Sequence, residues 1–386
     1  MMATGLLLTA CQADDAPAVA ATDAEQPAGG GAVADTLSGR HEIFFRVGSA
    51  DQRQATRAVT FWDIDRLKTD CDYLGTVQNY FSVTAYMDGL SDTDDNGKFI
   101  NSSGKIHVLY IESNTMPWRF CTPDGAVQHY YWPETIPLNF FAYHPCQMPL
   151  NTDGVTPPDP STCITVGAYT DRAPQLTCTA LPLTNIGQAS LKEFIYAYTE
   201  AITYKDYGGY APLTFQHPLA AVTLTLSSCF PQLKLLNVTF ERVYNNGTGT
   251  CTTSSVAWTT TGALGNLSLT WDPNDFGEDS PTYRKEMGVS MNIGRIDGPF
   301  LVLPQALTDR DGLEDVTMKI TYQKLGEPNP KDITLPITST VKTWESGKHY
   351  IYELELGKDE SVIIGCTVED WVDHGNYTDI GVDEDE

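Results

Sequence analysis

Cysteine is the residue type in this sequence with the widest range of chemistry, and the chain has nine of them. No two form a CxxC pair, which argues against a zinc ribbon or a thioredoxin-like redox site. In an exported chain the eight cysteines after Cys11 could form disulfides, although the sequence does not choose their pairing and buried free thiols are an open alternative. These eight are Cys71, Cys121, Cys146, Cys163, Cys178, Cys229, Cys251 and Cys366.

Cys11 differs from the others because it ends the segment Leu6-Leu7-Leu8-Thr9-Ala10-Cys11, which has the form of a lipobox. In such a segment the cysteine becomes the acylated first residue of the mature protein, and each buried methylene contributes about 0.8 kcal/mol to membrane anchoring. Only ten residues precede Cys11 and none is Lys or Arg, unlike an ordinary signal peptide. We therefore predict lipidation at Cys11, with a truncated start or a segment that is not a signal as the alternatives.

Charge and motifs exclude several classes of function. A net charge of −26 and a pI near 4.4 argue against binding to a nucleic-acid backbone, which needs a basic surface. No HExxH, GxSxG or P-loop pattern occurs. With 50 acidic residues, some carboxylate pair will lie at a glycosidase-like separation by chance. We assign no catalytic residue, metal or cofactor, and a carbohydrate-active enzyme is the weakest hypothesis.

Two features resemble metal ligands but have simpler interpretations. Asp92 to Gly97 matches the start of a calcium loop, yet the twelfth position is Ser103, and Asn96-Gly97 is a favourable hairpin turn. His217 is a lone histidine in an apolar stretch, so we interpret it as a core histidine with a satisfied hydrogen bond. A second hairpin turn is predicted at Asn246-Gly247.

The elements that must position these residues are strands and turns. The 31 Gly and 23 Pro, with many Thr and Tyr, favour β structure, and 386 residues favour two domains. Leu138 to Tyr143, between Pro137 and Pro145, predicts a buried strand in the most aromatic part of the chain. Residues 12–38 contain almost no large apolar residues and predict a disordered tether.

The first strand of the predicted fold runs from His41 to Val47. Alternation places Ile43, Phe45 and Val47 on one face. A short polar segment with Arg53 and Arg57 follows, before the next strand.

Six motifs in order carry a resemblance to a known family. They are Tyr-Trp-Pro at 131–133, Phe-Phe-Ala-Tyr-x-Pro at 140–145, F-x-H-x-L-A-x-V at 215–222, Leu-Pro-Gln at 303–305, W-x-x-G-K-x-Y-x-Y at 344–352 and V-x-x-W at 368–371. Together with the lipobox they resemble the Bacteroidetes fimbrillins, the FimA/Mfa-like surface lipoproteins. The resemblance implies an all-β fold of two tandem transthyretin-like β-sandwich domains with few short helices. The expected segments are a signal at 1–11, the tether at 12–38, and domains at 39–212 and 213–386.

The same resemblance implies a function without catalysis. In polymerising fimbrillins a trypsin-like protease cuts after an arginine placed like Arg57 or Arg53. The first strand, with Ile43, Phe45 and Val47, is then lost, and its groove accepts a donor strand from another subunit. The implied partners are other fimbrial subunits and, through Cys11, the outer membrane at the cell surface.

Two alternatives remain open at this stage. The segment with Arg53 and Arg57 could be a plain solvated loop. The chain could also be a surface lipoprotein that does not polymerise and binds glycans or host proteins through loops at the ends of its sandwiches. Stalk, tip and anchor roles within a fimbria are not distinguished by the sequence.

Overall fold

A computed structural model describes most of the chain from residue 40 onward. The described residues are 40–49, 72–73, 76–77, 80–89, 98–100, 107–110, 118–121, 127–144, 163–167, 174–184, 191, 193–228, 233–270, 291–293, 299–310, 312–324, 327–337, 341–356 and 362–371. All of them belong to one compact unit, residues 40–386. The predicted tether and signal segment lie outside the described residues.

The described part of the chain is all-β, as predicted. Its first half contains β1 (Phe44–Ser49), β2 (Asp72–Tyr73), β3 (Thr76–Val77), β4 (Tyr80–Met87), β5 (Lys98–Ile100), β6 (His107–Tyr110), β7 (Trp118–Cys121), β8 (Leu138–His144), β9 (Ile164–Val166), β10 (Gln175–Cys178), β11 (Ile195–Ile202) and β12 (Tyr210–Phe215).

The second half continues the same pattern. It contains β13 (Ala220–Ser228), β14 (Leu233–Val243), β15 (Asn246–Cys251), β16 (Val256–Thr261), β17 (Gly265–Thr270), β18 (Met291–Ile293), β19 (Phe300–Val302), β20 (Gln305–Ala306), β21 (Thr317–Lys324), β22 (Lys331–Pro336), β23 (Thr343–Trp344), β24 (Lys348–Leu356) and β25 (Val362–Asp370). Since the described residues include no helix, none there could span a membrane.

The largest sheet of the first half has six strands in the order β11-β8-β4-β6-β7, with β5 also paired to β4. The parallel pair β1-β12 covers one face of this sheet. The side chains between these two layers form a first core that is rich in aromatic residues. The predicted buried strand is confirmed as β8, which is buried on both faces.

Two sheets of the second half enclose another core. One has the order β18-β13-β24-β25 with β19 beside β13, and the other has the order β17-β14-β21-β22. Alternate residues of β21, including Met318, Ile320 and Tyr322, point into this second core with Trp344 and Tyr352. This arrangement is a β-sandwich, the predicted architecture.

A third core joins the two halves of the chain. Phe141 and Tyr196 lie on the face of the large sheet opposite the first core, and Leu301 and Leu303 from the second half pack into the same cluster. A four-stranded sheet, β16-β15-β10-β9, combines two strands from each half. The predicted domain boundary between residues 212 and 213 stays a prediction. The shared core and the shared sheet both contain residues from each side of that boundary.

The predicted hairpin turn at Asn246-Gly247 is wrong, because β14 and β15 belong to different sheets and do not pair with each other. Asn246 and Gly247 are the first two residues of β15 and pair with β16, and Tyr244 and Asn245 connect β14 to β15. A Cβ atom on Gly247 would lie 2.9 Å from the carbonyl oxygen of Thr259. Glycine is therefore needed here for close approach of two strands.

The shared core predicts cooperative unfolding of both halves. Leu303 is fully buried in it, so Leu303→Ala should lower the free energy of unfolding by about 2–5 kcal/mol. We expect calorimetry to show one transition that moves as a whole. The exposed Leu313 provides the control, because Leu313→Ala removes little buried area. Two transitions, of which only one moves, would contradict the coupling.

Candidate functional site

The first strand is held by backbone hydrogen bonds to two distant parts of the chain. β1 pairs in parallel with β12, from Phe44 opposite Tyr210 to Ser49 opposite Phe215. Just before β1, the Ile43 amide donates to the Tyr130 carbonyl at 2.7 Å, and the His41 carbonyl accepts from the Trp132 amide at 2.8 Å. Residues 41–43 therefore pair with the backbone of residues 130–132, and β1 then pairs with β12.

The inward face of this strand is buried in the first core. Ile43 and Phe45 are 2% and 3% exposed, and Val47 packs against the same cluster. The ring of Phe45 contacts Phe120 and Phe140 edge to face, with centroids 4.8 and 5.8 Å away. Such contacts add to the free energy of area burial. Removal of the strand would expose an aromatic groove.

The outward face of β1 makes weaker contacts. The guanidinium of Arg46 lies 4.8 Å from the centroid of the Tyr210 ring, and that of Arg119 lies 5.0 Å from the Phe44 ring. Cation–π contacts at partly exposed positions contribute about 0.5–1 kcal/mol each. These contacts add to the main hold on the strand, which comes from its buried face and its backbone.

Glu42 adds a polar clamp at the start of the strand. Its Oε1 atom accepts a hydrogen bond from Arg119 Nη2 at 3.0 Å and lies 2.7 Å from His129 Nδ1. The side chain of Glu42 is 9% exposed and that of Arg119 is 13% exposed. Ion pairs that water screens little depend strongly on having the right partner. The clamp therefore favours one register of the first strand in its groove, the register in which the Glu42 carboxylate directly precedes the buried side chain of Ile43.

Some of the predicted site residues lie in the described part of the chain and others do not. Ile43, Phe45 and Val47 share the expected face and fill the groove of the first core. Cys11, Arg53 and Arg57 lie outside the described residues, as does the calcium-like segment 92–97. Glu42, Arg119 and His129 were missed by sequence reasoning. Arg119 and His129 are 77 and 87 residues from Glu42, so no local pattern connects them.

His217 is a satisfied core histidine, as predicted. Its Nδ1 atom lies 2.5 Å from Glu193 Oε1, and its ring stacks on Trp371 with centroids 4.2 Å apart. Among the described residues no cluster of His, Cys, Asp and Glu could hold a metal ion. Burial raises the pKa of the Cys251 and Cys366 thiols to about 12, so both are protonated and weakly nucleophilic at neutral pH.

Comparison with protein families gives a match over most of the same region. Residues 110–371 match the sequence model of a family described as fimbrillin-like, which is more than half of the 386 residues. No curated protein sequence matches the chain.

Similar solved structures include fimbrial proteins from Bacteroides and Porphyromonas. A fimbrial protein from Bacteroides vulgatus is 14% identical, with 86% of this chain and 100% of that chain covered and a TM-score of 0.51. The tip fimbrial protein Mfa3 from Porphyromonas gingivalis is 9% identical, with 86% and 100% covered and a TM-score of 0.37. The fimbrial anchor protein Mfa2 from the same organism is 10% identical, with 87% and 100% covered and a TM-score of 0.31. At these identities the likeness concerns the fold alone, and of the three the Bacteroides vulgatus alignment supports it.

The two faces of β1 predict different costs of truncation. Phe45→Ala should lower the free energy of unfolding by about 3–5 kcal/mol, because it leaves a cavity among aromatic rings. Phe44→Ala removes a partly exposed ring on the other face and is the matched control. Hydrogen exchange of residues 210–215 should accelerate strongly in the first variant and little in the second. Equal acceleration in both would contradict the assignment of the two faces.

Proposed function

Because this chain belongs to the fimbrillin-like family, we propose that it is a fimbrial subunit or accessory component that acts in adhesion and is assembled by protease-triggered donor-strand exchange. The family is fimbrial, which implies a place at the cell surface or in a fimbrium and association with other fimbrial subunits. The steps by which this chain is anchored and exchanged are our proposal.

The observation that carries the proposal is the seating of the first strand. Within the described residues β12 pairs with β1 alone. The chain between Ser49 and the next described strand contains Arg53 and Arg57. A cut after either residue would leave β1 held by contacts without a covalent link to the rest of the fold. The sequence therefore combines a separable strand with candidate cleavage points directly behind it.

The energetics favour replacement of the strand over an empty groove. Burial of Ile43, Phe45 and Val47 is worth roughly 1.5–3 kcal/mol for each side chain. Loss of the strand would also leave the backbone groups along the free edge of β12 without partners, with Ala211, Leu213 and Phe215 exposed behind them. An incoming strand that runs parallel to β12 and carries alternate apolar residues would restore both the apolar burial and the backbone hydrogen bonds.

Anchoring would come from the other end of the chain. Acylation at Cys11 would hold the protein on the outer membrane, and residues 12–38 would act as the tether between the membrane and the fold. The support for this step is the lipobox-like sequence and the acidic residues Asp14 and Asp15 after it. The proposed partners are therefore the membrane and neighbouring subunits, with no cofactor and no nucleic acid.

Limited proteolysis tests the exchange. Trypsin should convert the purified monomer into oligomer ladders, and mass spectrometry of the trimmed chain should show a new start after Arg57 or Arg53. Arg53→Gln with Arg57→Gln should suppress the ladders. Arg40→Gln is the matched control, because Arg40 is exposed and precedes β1, so a cut there leaves the strand attached.

A single trimmed monomer at every protease dose would contradict a polymerising subunit. Glycan-array binding by the uncleaved monomer would favour the alternative of a surface lipoprotein that binds glycans or host proteins.

The Glu42 clamp predicts the rate of exchange. Hydrogen bonds to charged groups contribute about 1.5–3 kcal/mol, so Glu42→Gln should hasten loss of the cleaved strand by about tenfold or more. Glu134→Gln, at an exposed carboxylate, is the control. Release of the cleaved N-terminal fragment on size exclusion gives the rate. Unchanged release in the Glu42 variant would mean that the clamp does not hold the strand.

A further inference from the structure

Two cysteines lie close together where two short paired strands meet: Cys163 directly precedes β9, and Cys178 ends β10. The sulfur atoms of Cys163 and Cys178 are 3.7 Å apart, and the Cys178 thiol donates a hydrogen bond to Cys163. Cys178 is the last residue of β10 and pairs with Ile164 at the start of β9. The amide of Thr179 donates to the carbonyl of Cys163 at 2.9 Å, which fixes the backbone beside both sulfur atoms.

We propose that Cys163 and Cys178 form an intramolecular disulfide in the mature protein. Neighbouring strands lie about 5 Å apart, and the offset of one residue between Cys178 and Cys163 adds about 3.3 Å along the strand. The expected Cα separation is therefore about 6 Å, within the range that disulfides bridge. The two sulfur atoms need to approach by less than about 2 Å to reach bonding distance, which rotation of side chains can supply. The net acidic charge and the lipobox do not enter this argument, so it stands apart from the proposed fimbrial function.

The other described cysteines are poorly placed for either sulfur atom. Cys121 lies in β7 and Cys366 in β25, strands of other sheets. Cys251 is in the same sheet, but Cys178 pairs with Gly247, four residues away along β15. That separation corresponds to about 13 Å of strand. Among the described residues the geometry therefore selects the pair of Cys163 and Cys178.

The reaction needs an oxidant, and a thiol–disulfide oxidoreductase in its disulfide form supplies one. The thiolate of the half-buried Cys163 attacks one sulfur atom of the oxidant, whose S–S bond breaks and whose other sulfur leaves as a thiolate that takes up a proton. The Cys178 thiolate then attacks Cys163 and displaces the remaining oxidant sulfur. Two protein thiols are oxidised by two electrons, and the oxidant disulfide is reduced to two thiols.

The environments of the two cysteines assign their order. The hydrogen bond with Cys163 and burial raise the pKa of the Cys178 thiol. Cys178 is 2% exposed, whereas Cys163 is half-buried. Cys163 is therefore the sulfur that an external oxidant reaches, and Cys178 is the one that completes the bond.

The bond would stabilise the sheet that both halves of the chain share. β9 has three residues and pairs with β10 at three positions, so hydrogen bonds alone hold it weakly. The cross-link would close a loop between residues 15 apart, which restricts the unfolded chain. β10 in turn pairs with β15 from the second half. Fastening β9 therefore supports the junction between the halves.

Peptide mapping of the full chain tests the proposal. The purified protein is equilibrated with oxidised glutathione, remaining thiols are blocked with N-ethylmaleimide, and the chain is digested with trypsin and a second protease that separates Cys146 from Cys163. Since Arg172 lies between the two cysteines, trypsin leaves two peptides that stay joined through the disulfide. We expect this joined pair, lighter by two hydrogen atoms than the sum of its parts, and its loss on reduction.

Variants and reductant give a second readout. Cys163→Ser and Cys178→Ser should each abolish the linked pair, and Cys366→Ser, the control in another sheet, should leave it intact. Reduction of the wild-type chain should lower its melting temperature by roughly 5 °C and should have little effect on the Cys163 variant. Alkylation of both cysteines in the oxidised protein, or a link from either one to Cys71, Cys146 or Cys229, would overturn the proposal.

Discussion

The structure depends on one sheet that is buried on both faces. In β8 and β11 alternate side chains point to opposite sides, so that Phe140 enters the first core and Phe141 enters the core shared between the halves. A surface strand would place polar residues on one of those sides. Here both sides are apolar, and each must be covered by another layer. The need to cover two faces explains why this sheet packs against the β1-β12 pair on one side and against the second half of the chain on the other.

The two coverings are built from different kinds of contact. The shared core is closed by strands that belong to extended sheets and by a sheet with strands from both halves. The first core is completed by β1, which has one strand partner among the described residues, and by Ile43 directly before it. Together they supply three apolar side chains, those of Ile43, Phe45 and Val47. Its hold is strong in sum, but all of it lies in one short segment near one end of the chain. The strand exchange proposed above would therefore take place at β1.

Most of the fold follows from local patterns in the sequence. Alternation of apolar residues located β1, and the proline-bounded run located β8, because side-chain period and turn residues are properties of neighbouring positions. The prediction for His217 also held, since a histidine in an apolar run needs a buried partner, and Glu193 provides it. The Asn246-Gly247 turn failed because Gly247 serves a close contact with Thr259 across the sheet, which local turn preferences do not include.

The sequence by itself determined the all-β class, the strand with Ile43, Phe45 and Val47 on one face, and the candidate modification sites at Cys11, Arg53 and Arg57. Tertiary structure alone decided what those strands meet. It placed β1 parallel to β12, joined Glu42 to Arg119 and His129, and set Cys163 against Cys178. The reason is physical: periodicity is a property of adjacent residues, whereas pairing partners are selected by packing among segments far apart in the chain.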